Sequence, residues 1–403
     1  MAKAPTRSGP ASGLIPVGEA MEKLFSLVEP VEIEQIDLAD ACGRVLAEPV
    51  AARRDQPPFP ASSMDGYAIK AVEAMRDAQF RVVGESAAGR RFEGRVGPGQ
   101  AVRIFTGAPV PEGADHVVIQ EDVRRDGALI SLLDEPGDKD NIRPAGTDFR
   151  VGATLEAPRR LGPSDIALLA AMNIPLVPVR RQPEIALIST GDELVQPGED
   201  PGPDQIMVSN TYGLKAMLDL AGASVRMLPI ARDTAASLRT AFELARGADL
   251  VVTIGGASVG DYDLVGDVAA ELGMEQSFYK VAMRPGKPLM AGHISGSAMV
   301  GLPGNPVSAL VCGEVFLRPM LNKMLGLGAS APARLQAPLS QPLLANGPRE
   351  HYMRATLDAA GIHAFDRQDS SLLSVLTKAN ALLVRPPHDS AREVGEMVDY
   401  IPL

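Results

Sequence analysis

Residues 184–325 alternate between short apolar segments with strand character and longer segments with helical spacing, and the connections between them are short. This alternation constrains the fold more than any other feature of the sequence, because it predicts a mostly parallel sheet covered by helices on both faces. Strands are predicted at 184–188, 225–230, 250–254, 278–283 and 298–302. Helices are predicted at 210–220, 234–246, 264–272 and from Asn305-Pro306 onward, with proline at the first helical position.

The rest of the chain predicts three further domains. Residues 13–52 together with 150–183 predict a helical and extended linker or dimerisation domain, with helices at 17–28, 40–47 and 163–172. Residues 53–149 hold short β-rich runs between Gly and Pro turns, which predict a small β domain, and residues 331–403 predict a C-terminal β-barrel-like domain. With a doubly wound, mostly parallel α/β domain at 184–328, the predicted fold class is multidomain α/β plus β.

Composition excludes several functional classes. The 403-residue chain has a formal net charge of −11, which argues against a nucleic-acid partner. The N-terminal segment lacks the apolar stretch of a signal peptide, and no apolar run is long enough to span a bilayer, so we expect a cytoplasmic protein without a membrane partner. Cys42 and Cys312 have no partner at metal-ligand spacing and are predicted to be small buried side chains in helices.

Polar, charged or Gly-rich loops follow every predicted strand of the α/β domain. Ligands of open α/β sheets bind outside the carboxyl ends of the strands, so these loops should converge on one rim. The rim carries carboxylates and cations: Glu193, Asp233, Asp261, Asp263, Lys280, Arg284 and Lys287. Such carboxylates hold Mg²⁺, while cations and the N–H groups of a Gly-rich loop hold phosphate. The residues therefore predict a Mg²⁺-assisted site for phosphate or another oxyanion.

Each part of this rim also has an ordinary structural explanation. The glycines of 255–260 are equally consistent with a tight turn, Asn305-Pro306 with simple capping, and Asp233 with the cap of the next helix. Only their shared location favours a ligand site. The sequence contains no Gly-x-Ser-x-Gly elbow, Walker loop or His/Cys metal cluster, so nucleophilic Ser or Cys catalysis lacks support.

Six motifs resemble, in matching order from about residue 13 to the C-terminus, those of the molybdopterin molybdenumtransferase family, which includes bacterial MoeA and the gephyrin E-domain. They are PPFPASSMDGYA at 57–68, TGAP at 106–109, STGDEL at 189–194, GGASVG at 255–260, RPGKP at 284–288 and GLPGNP at 301–306. The resemblance implies an adenylyltransferase-like α/β domain. It also implies the reaction of adenylylated molybdopterin with molybdate, which gives molybdenum cofactor and AMP with Mg²⁺.

The resemblance further implies a homodimer, with an active site between the α/β domain of one subunit and the β domain of the other. The molybdopterin adenylyltransferase and apo-molybdoenzymes are the other implied protein partners. Asp65 and Thr106 are expected to reach in from the partner subunit.

The family's functional positions carry over residue by residue. The predicted catalytic residues are Asp65, Thr106, Asp148, Glu193, Asp233 and Asp263, and the last three are also the predicted metal ligands. The predicted contacts of the pterin and its phosphate are Ser189, Thr190, Gly191, Gly255, Gly256, Ser258, Gly260, Lys280, Pro303, Asn305 and Pro306. The predicted molybdate ligands are Arg284, Lys287, Ser308, Arg354, Ser370 and Ser374.

The chain departs from the family pattern at a few positions. Arg284 stands where many members have lysine, which keeps the charge but replaces a point charge with a planar fork. Asp369 and Ser371 replace glycines on either side of Ser370, and this puts the contact of Ser370 in question. Asn173 also replaces a usual glycine, a mild change because asparagine tolerates the left-handed conformation.

Two other functions are consistent with parts of the sequence. A molybdopterin adenylyltransferase, which catalyses the preceding step, resembles residues 184–325 but lacks counterparts of 13–183 and of the C-terminal β domain. A non-enzymatic scaffold is the second alternative, since gephyrin also clusters receptors. The charged rim argues against a pure scaffold.

Overall fold

The computed structural model describes residues 13–255 and 264–403. The chain forms two compact units, Gln35–Val179 and the residues before and after it, and each unit is described by itself. None of the helices within the described ranges is both long and apolar enough to cross a bilayer. The division into four domains stays a prediction, although the helix Val17–Phe25 packs with Glu275–Lys280 and with Arg318–Met324 of the larger unit.

A six-stranded sheet organises the larger unit. Its strands, in spatial order, are Ser224–Met227, Glu184–Ser189, Leu250–Ile254, Ser297–Leu302, Pro288–Ile294 and Glu275–Lys280. The first four run parallel. Every residue of Leu250–Ile254 and of Ser297–Leu302 is buried, as expected for strands covered on both faces.

Helices cover both faces of this sheet. Ala235–Leu244 and Leu264–Glu271 pack on the face that carries Ala186 and Ile188. The second group is Asn210–Leu220, Pro306–Cys312, a π-helical turn Gly313–Leu317 and Arg318–Met324. The predicted helix 210–220 and strand 250–254 match the observed bounds to the residue.

The fourth predicted strand is corrected by the structure. The strand spans Glu275–Lys280 rather than 278–283, and it pairs antiparallel with Pro288–Ile294, a strand that the sequence pattern did not predict. Proline at its first position and Gly292 in its interior hid this strand. Gly292 is needed there, because a Cβ would lie 2.3 Å from the carbonyl oxygen of Glu275. The hairpin returns the intervening loop, 281–287, to the carboxyl edge of the parallel strands.

The C-terminal region forms a second sheet in the same unit. Its strands are Met283–Arg284, Glu350–Asp358, Ala381–Arg385, Met397–Pro402 and Leu335–Pro338, with Gly361–Ala364 beside Glu350–Asp358 and a short helix at Leu373–Leu376. Met283–Arg284 leaves the α/β hairpin and pairs in parallel with Glu350 and His351. This C-terminal sheet therefore takes one edge strand from the loop between the two strands of the hairpin.

The smaller unit is mostly β. Its six-stranded sheet has the order His116–Ile119, Gly66–Ile69, Gln100–Ile104, Gln79–Ser86, Leu129–Leu132 and Val123–Asp126. Short paired strands are Ile33–Asp37, Val45–Leu46, Val50–Ala51, Ala61–Ser62, Ile142–Arg143, Thr154–Leu155, Arg159–Arg160 and Leu176–Arg180. The α-helix Pro163–Ala171 and the 3-10 turns Leu38–Asp40, Ala71–Glu73 and Gln120–Asp122 complete the elements of this unit.

The predicted helix at 40–47 is wrong. Gly43 has φ +82°, which ends any helix there, and Val45–Leu46 continues as a strand that pairs with Arg159–Arg160. Cys42, predicted to be buried in a helix, is exposed in this segment, whereas Cys312 is buried as predicted. Asn173 has φ +66°, the left-handed conformation expected at the end of the helix 163–171.

Candidate active site

A cleft of about 1200 Å³ lies at the carboxyl edge of the parallel strands. Of the predicted site residues, nine line it: Ser189, Thr190, Gly191, Glu193, Asp233, Gly255, Pro303, Asn305 and Pro306. They lie at or after the carboxyl ends of four different strands, which are neighbours in the sheet and so bring these residues together. Gly256, Ser258, Gly260 and Asp263 lie outside the described residues.

Backbone hydrogen bonds between strand ends form the floor of the cleft. The Thr190 amide donates to Ile254 O at 3.0 Å, and the Gly255 amide donates to Leu302 O at 3.1 Å. Gly255 has φ +91°, and a Cβ there would lie 2.8 Å from Thr190 O. Only glycine fits this close approach, so Gly255 allows the backbone at the ends of two neighbouring strands to lie together at the floor of the cleft.

Hydroxyl groups line the cleft beside this floor. Ser189 shares a short hydrogen bond with the buried hydroxyl of Thr211. The Thr190 Oγ1 atom is buried and has no hydrogen-bond partner among the described residues. A buried hydroxyl without a partner is costly, so Thr190 is suited to bond with a bound ligand.

Two carboxylates, those of Glu193 and Asp233, belong to adjacent loops of the cleft wall. Arg232 ties these loops together, because its guanidinium donates to Asp192 O at 3.0 Å and to Leu194 O at 3.2 Å. The Asp233 amide donates to Asp192 Oδ1 at 3.2 Å. Thr234, not Asp233, caps the next helix, since its hydroxyl accepts from the Ser237 amide. The carboxylate of Asp233 is therefore not needed as a cap.

Sequence reasoning missed Arg232 as a site residue, although it directly precedes Asp233 at the end of a strand. It also missed Asp267 and Asn210, which line the cleft. Asn210 donates to Gly304 O at 2.7 Å and so braces the loop before Pro306. Both lie within helices of ordinary amphipathic pattern, and nothing in the sequence marks them.

Two carboxylates of the cleft are of the kind that a magnesium ion would need. Within 13–255 and 264–403, no group of three or more His, Cys, Asp or Glu side chains is arranged to hold a metal ion. Glu193 and Asp233 are hard oxygen ligands on one wall of the cleft, and Mg²⁺ is commonly bound by one or two carboxylates together with substrate phosphates. The donor set therefore fits Mg²⁺ accompanied by a phosphate-bearing ligand.

The C-terminal segment 367–371 reaches the same helix N-terminus as the cleft. The Val307 amide donates to Ser370 O at 3.0 Å, and Ser371 lines the cleft. This amide, in the first turn of the helix Pro306–Cys312, is therefore already bonded within the chain. Ser308 is buried in the same helix, whereas Ser374 is exposed.

Arg354 holds that segment rather than facing the cleft. Its side chain is 1% exposed, and its terminal nitrogens donate to Asp369 O at 3.0 Å and Arg367 O at 3.1 Å. Burial lowers the pKa of Arg354, and the charge of Arg284 lowers it further, while Asp369 opposes both. Within the part of the chain that the structure describes, the buried Nε atom of Arg354 has no hydrogen-bond partner. Its two terminal nitrogens thus position the backbone that leads to Ser370.

The three predicted cations lie around the loop 281–287 and do not line the cleft, although Pro288 does. Arg284 lines a second cavity of about 320 Å³, with His351, Gln368 and Arg385. Burial lowers the pKa of His351 to about 4, and the charges of neighbouring arginines, Arg284 first among them, lower it as well. His351 is therefore a neutral side chain beside a cation.

Gly286 fixes the shape of this loop. It has φ +107°, and a Cβ there would lie 2.5 Å from Cys312 Sγ and 3.0 Å from Met283 Sδ. Lys287 O accepts a hydrogen bond from the Val281 amide at 3.0 Å, which closes the loop. Lys280 and Lys287 are half-buried at its two ends. Burial raises the pKa of the Cys312 thiol, so this sulfur is a packing group.

Asp65 and Thr106 are neighbours in the smaller unit. Asp65 Oδ1 accepts from the Thr106 amide at 2.7 Å and from the Thr106 hydroxyl at 2.8 Å. These two hydrogen bonds lower the pKa of the Asp65 carboxyl, and the charge of Arg103 lowers it further. Asp148 is exposed, and its amide donates to Gln56 O at 2.9 Å.

Comparisons with known proteins identify relatives of the whole chain. Family models described as the MoeA N-terminal region (domain I and II), a probable molybdopterin binding domain and the MoeA C-terminal region (domain IV) match residues 15–173, 186–323 and 336–403. A molybdopterin molybdenumtransferase of Nostoc sp. is 36% identical, with 90% of this chain and 88% of the relative covered. The Haemophilus influenzae enzyme of the same name is 33% identical, with coverage of 96% and 98%.

A solved structure confirms the predicted fold class. The molybdopterin biosynthesis MoeA protein of Pyrococcus horikoshii superposes with a TM-score of 0.83 at 29% identity, covering 97% of this chain and 99% of that one. The relatives, the family models and this structure agree over nearly the full length, including the regions outside the α/β domain. The chain belongs to the molybdopterin molybdenumtransferase family of transferases.

Proposed function

We propose that the protein inserts molybdate into adenylylated molybdopterin and releases AMP, in a Mg²⁺-dependent reaction of molybdenum cofactor biosynthesis. The observation that carries the proposal is the cleft, in which Glu193 and Asp233 face a floor of backbone and hydroxyl groups from three strand ends. The names of the curated relatives support the substrate class. We also propose that the protein acts as a cytoplasmic homodimer.

Release of AMP requires cleavage of the phosphoanhydride that joins AMP to the pterin phosphate. A water oxygen attacks one phosphorus, the bridging oxygen leaves on the other phosphate, and a carboxylate takes the proton of the water. Asp65 or Asp148, brought from the partner subunit, suits this last role. Mg²⁺, held by Glu193, Asp233 and Asp263, would neutralise the phosphate charge.

We assign molybdate to the cations of the loop 281–287 and to Ser308. Molybdate is a dianion, and Arg284 in the middle of the loop and Lys287 at its end supply two positive charges on either side of Gly286, which fixes the shape of the loop. Arg354 acts one step further away, through the backbone of 367–369. Lys287→Ala should weaken molybdate binding, measured by calorimetry, by about 10-fold or more, as expected for a charged hydrogen bond. Unchanged affinity would overturn this assignment.

The reaction is tested by AMP release from adenylylated molybdopterin with Mg²⁺, with and without molybdate, together with reconstitution of a molybdenum-free apoenzyme. Molybdate-dependent AMP release with reconstitution supports the proposal. Adenylylation of free molybdopterin from ATP, without AMP release, would favour the preceding step of the pathway. A stable dimer with neither activity would favour a scaffold.

Isosteric variants localise the chemistry. Glu193→Gln and Asp233→Asn keep the shape of the cleft and remove one charge each, so both should lower AMP release by at least about 100-fold and raise the Mg²⁺ requirement. Asp204→Asn removes an exposed carboxylate from the same stretch of chain and should behave as wild type. If all three variants lowered AMP release equally, the carboxylates of the cleft would act only through the net charge of the protein.

A further inference from the structure

Arg103 donates hydrogen bonds to two residues that surround Asp65 in the smaller unit. Its Nη1 donates to Gly66 O, the residue after Asp65, at 3.2 Å. Its Nη2 donates to Gln120 Oε1 at 2.6 Å, and the Gln120 amide in turn donates to Asp65 O at 3.0 Å. The guanidinium of Arg103 therefore joins Gly66, the next residue after Asp65, to Gln120, whose amide binds the carbonyl oxygen of Asp65.

Two aromatic rings hold this guanidinium in place. Its central carbon lies 5.0 Å from the ring centroid of Tyr67 and 4.8 Å from that of Phe105. Tyr67 is the cross-strand partner of Arg103 and is buried, and Phe105 directly follows the strand Gln100–Ile104 that holds Arg103. Cation–π contact and the planar fork favour arginine over lysine at such a position.

The backbone around Asp65 leaves little freedom for another arrangement. A Cβ at Gly66 would lie 1.9 Å from Val118 O, so the strand after Asp65 packs directly against its neighbour. The carboxylate itself is held by the two hydrogen bonds from Thr106. Arg103 completes this frame from the opposite strand and adds a positive charge close to the carboxylate.

We propose that Arg103 is a positioning residue that holds Asp65, in orientation and in charge, for its role in the reaction. Arg103 is not among the functional residues that the family resemblance implies. The inference rests on the proposed function of Asp65. Two carboxylates lie near Arg103 and bond elsewhere: Glu121 accepts from Gln120 Nε2 at 3.2 Å, and Glu85, the partner of Arg103 on the neighbouring strand, accepts from Arg90 at 2.6 Å.

A double-mutant cycle tests the proposal in the full-length protein, with molybdate-dependent AMP release as the activity. The variants are Arg103→Met, Arg103→Lys, Asp65→Asn and the double variant Arg103→Met with Asp65→Asn. Arg91→Met is the matched control, because Arg91 also lies over an aromatic ring of this unit, 6.0 Å from the centroid of Phe59, but is exposed and takes no part in the hydrogen bonds described around Asp65. Melting temperature is measured for every variant.

We expect Arg103→Met to lower kcat by about 10- to 100-fold, since a displaced catalytic group loses rate more than substrate affinity. Arg103→Lys should recover part of the loss, and Arg91→Met should lose nothing. In the Asp65→Asn background Arg103→Met should have little further effect, because groups that act as a unit are not additive.

The outcomes separate this inference from the proposed function. Wild-type activity in Asp65→Asn would refute the role of Asp65 itself. If Asp65→Asn were impaired while Arg103→Met kept full activity, the positioning role of Arg103 would be refuted. The same would follow if the fold-loss of kcat in the double variant equalled the product of the two single losses. A loss in Arg103→Met that tracks a lower melting temperature and is equal in both backgrounds would also refute it.

Discussion

Ser371 donates two hydrogen bonds to one carboxylate oxygen of Asp369, from its amide at 2.8 Å and from its hydroxyl at 2.7 Å. These hydrogen bonds lower the pKa of Asp369. Asp369 and Ser371, on either side of Ser370, therefore form a turn together. That turn fixes Ser370 O, which accepts from the Val307 amide.

We predict that Asp369→Ala weakens binding of the pterin substrate several-fold, because the segment against the cleft loses the acceptor that closes its turn. Asp369→Asn keeps an acceptor oxygen at the same position and should bind as wild type. The measurement is the KM for adenylylated molybdopterin. Equal KM values for the three proteins would show that the turn has no influence on the cleft.

Gly255→Ala should impair the enzyme through the backbone. The added Cβ at φ +91° would lie 2.8 Å from Thr190 O, so the strand end has to move out of place. We expect a loss of stability of about 1 to 3 kcal/mol and a larger loss of substrate affinity. Calorimetric binding and urea unfolding measure the two effects.

Gly247→Ala is the matched control for Gly255, because Gly247 has φ +82° with open space around its Cα. It should reproduce the conformational cost alone and leave substrate affinity intact. If both variants lost affinity equally, the close contact with Thr190 would not be the cause.

Arg232→Met should lower the affinity for Mg²⁺, since this guanidinium joins the loops that carry Glu193 and Asp233. Residues that orient metal ligands typically contribute about 10- to 100-fold in metal affinity. The half-saturating Mg²⁺ concentration for AMP release is the measurement. Arg239→Met, which removes a surface ion pair with Glu271, is the control and should leave it unchanged. A normal Mg²⁺ dependence in Arg232→Met would contradict the role of Arg232.

His351 should make the protein less stable in mild acid. Its pKa is about 4 in the folded chain and about 6.5 when unfolded. Below pH 6.5 the unfolded state takes up a proton that the folded state does not, so stability is complete above pH 6.5 and falls as the pH drops towards 4. The contribution amounts to about 3 kcal/mol over that window.

His351→Gln should remove this pH dependence, measured as the difference in the free energy of unfolding between wild type and variant from pH 4 to pH 7.5. Burial also lowers the pKa of His116, and taking the difference cancels its contribution. His363→Gln in the same sheet is the control and should keep the wild-type slope. An unchanged slope in His351→Gln would mean that the folded ring titrates normally.

Sequence pattern predicted the parallel sheet well because its strands are buried on both faces and read as continuous apolar runs, as at Leu250–Ile254. It failed where one residue reverses a local preference. Gly43 ends the helix predicted at 40–47. Gly292 interrupts the apolar pattern of the strand Pro288–Ile294, yet glycine is required there because the neighbouring strand approaches closely.

The candidate site was predictable as a rim but not as a set of contacts. Glu193 and Asp233 follow strands whose order brings them together, and chain position alone predicts this. The burial of Arg354, and the bonds of its terminal nitrogens to backbone carbonyls, depend on the pairing of Glu350–Asp358 with its neighbours. Arg232 and Arg103 were missed for the same reason, since both act through contacts with residues distant in sequence.

The strand Met283–Arg284 belongs to the C-terminal sheet, while the residues on either side of it belong to the hairpin of the central sheet. The position of this loop therefore depends on both sheets. A rotation of the C-terminal strands relative to the central sheet would carry Arg284 along and change its distance from Lys287. The distance between the charges of Arg284 and Lys287 is thus coupled to the orientation of the C-terminal sheet relative to the central sheet.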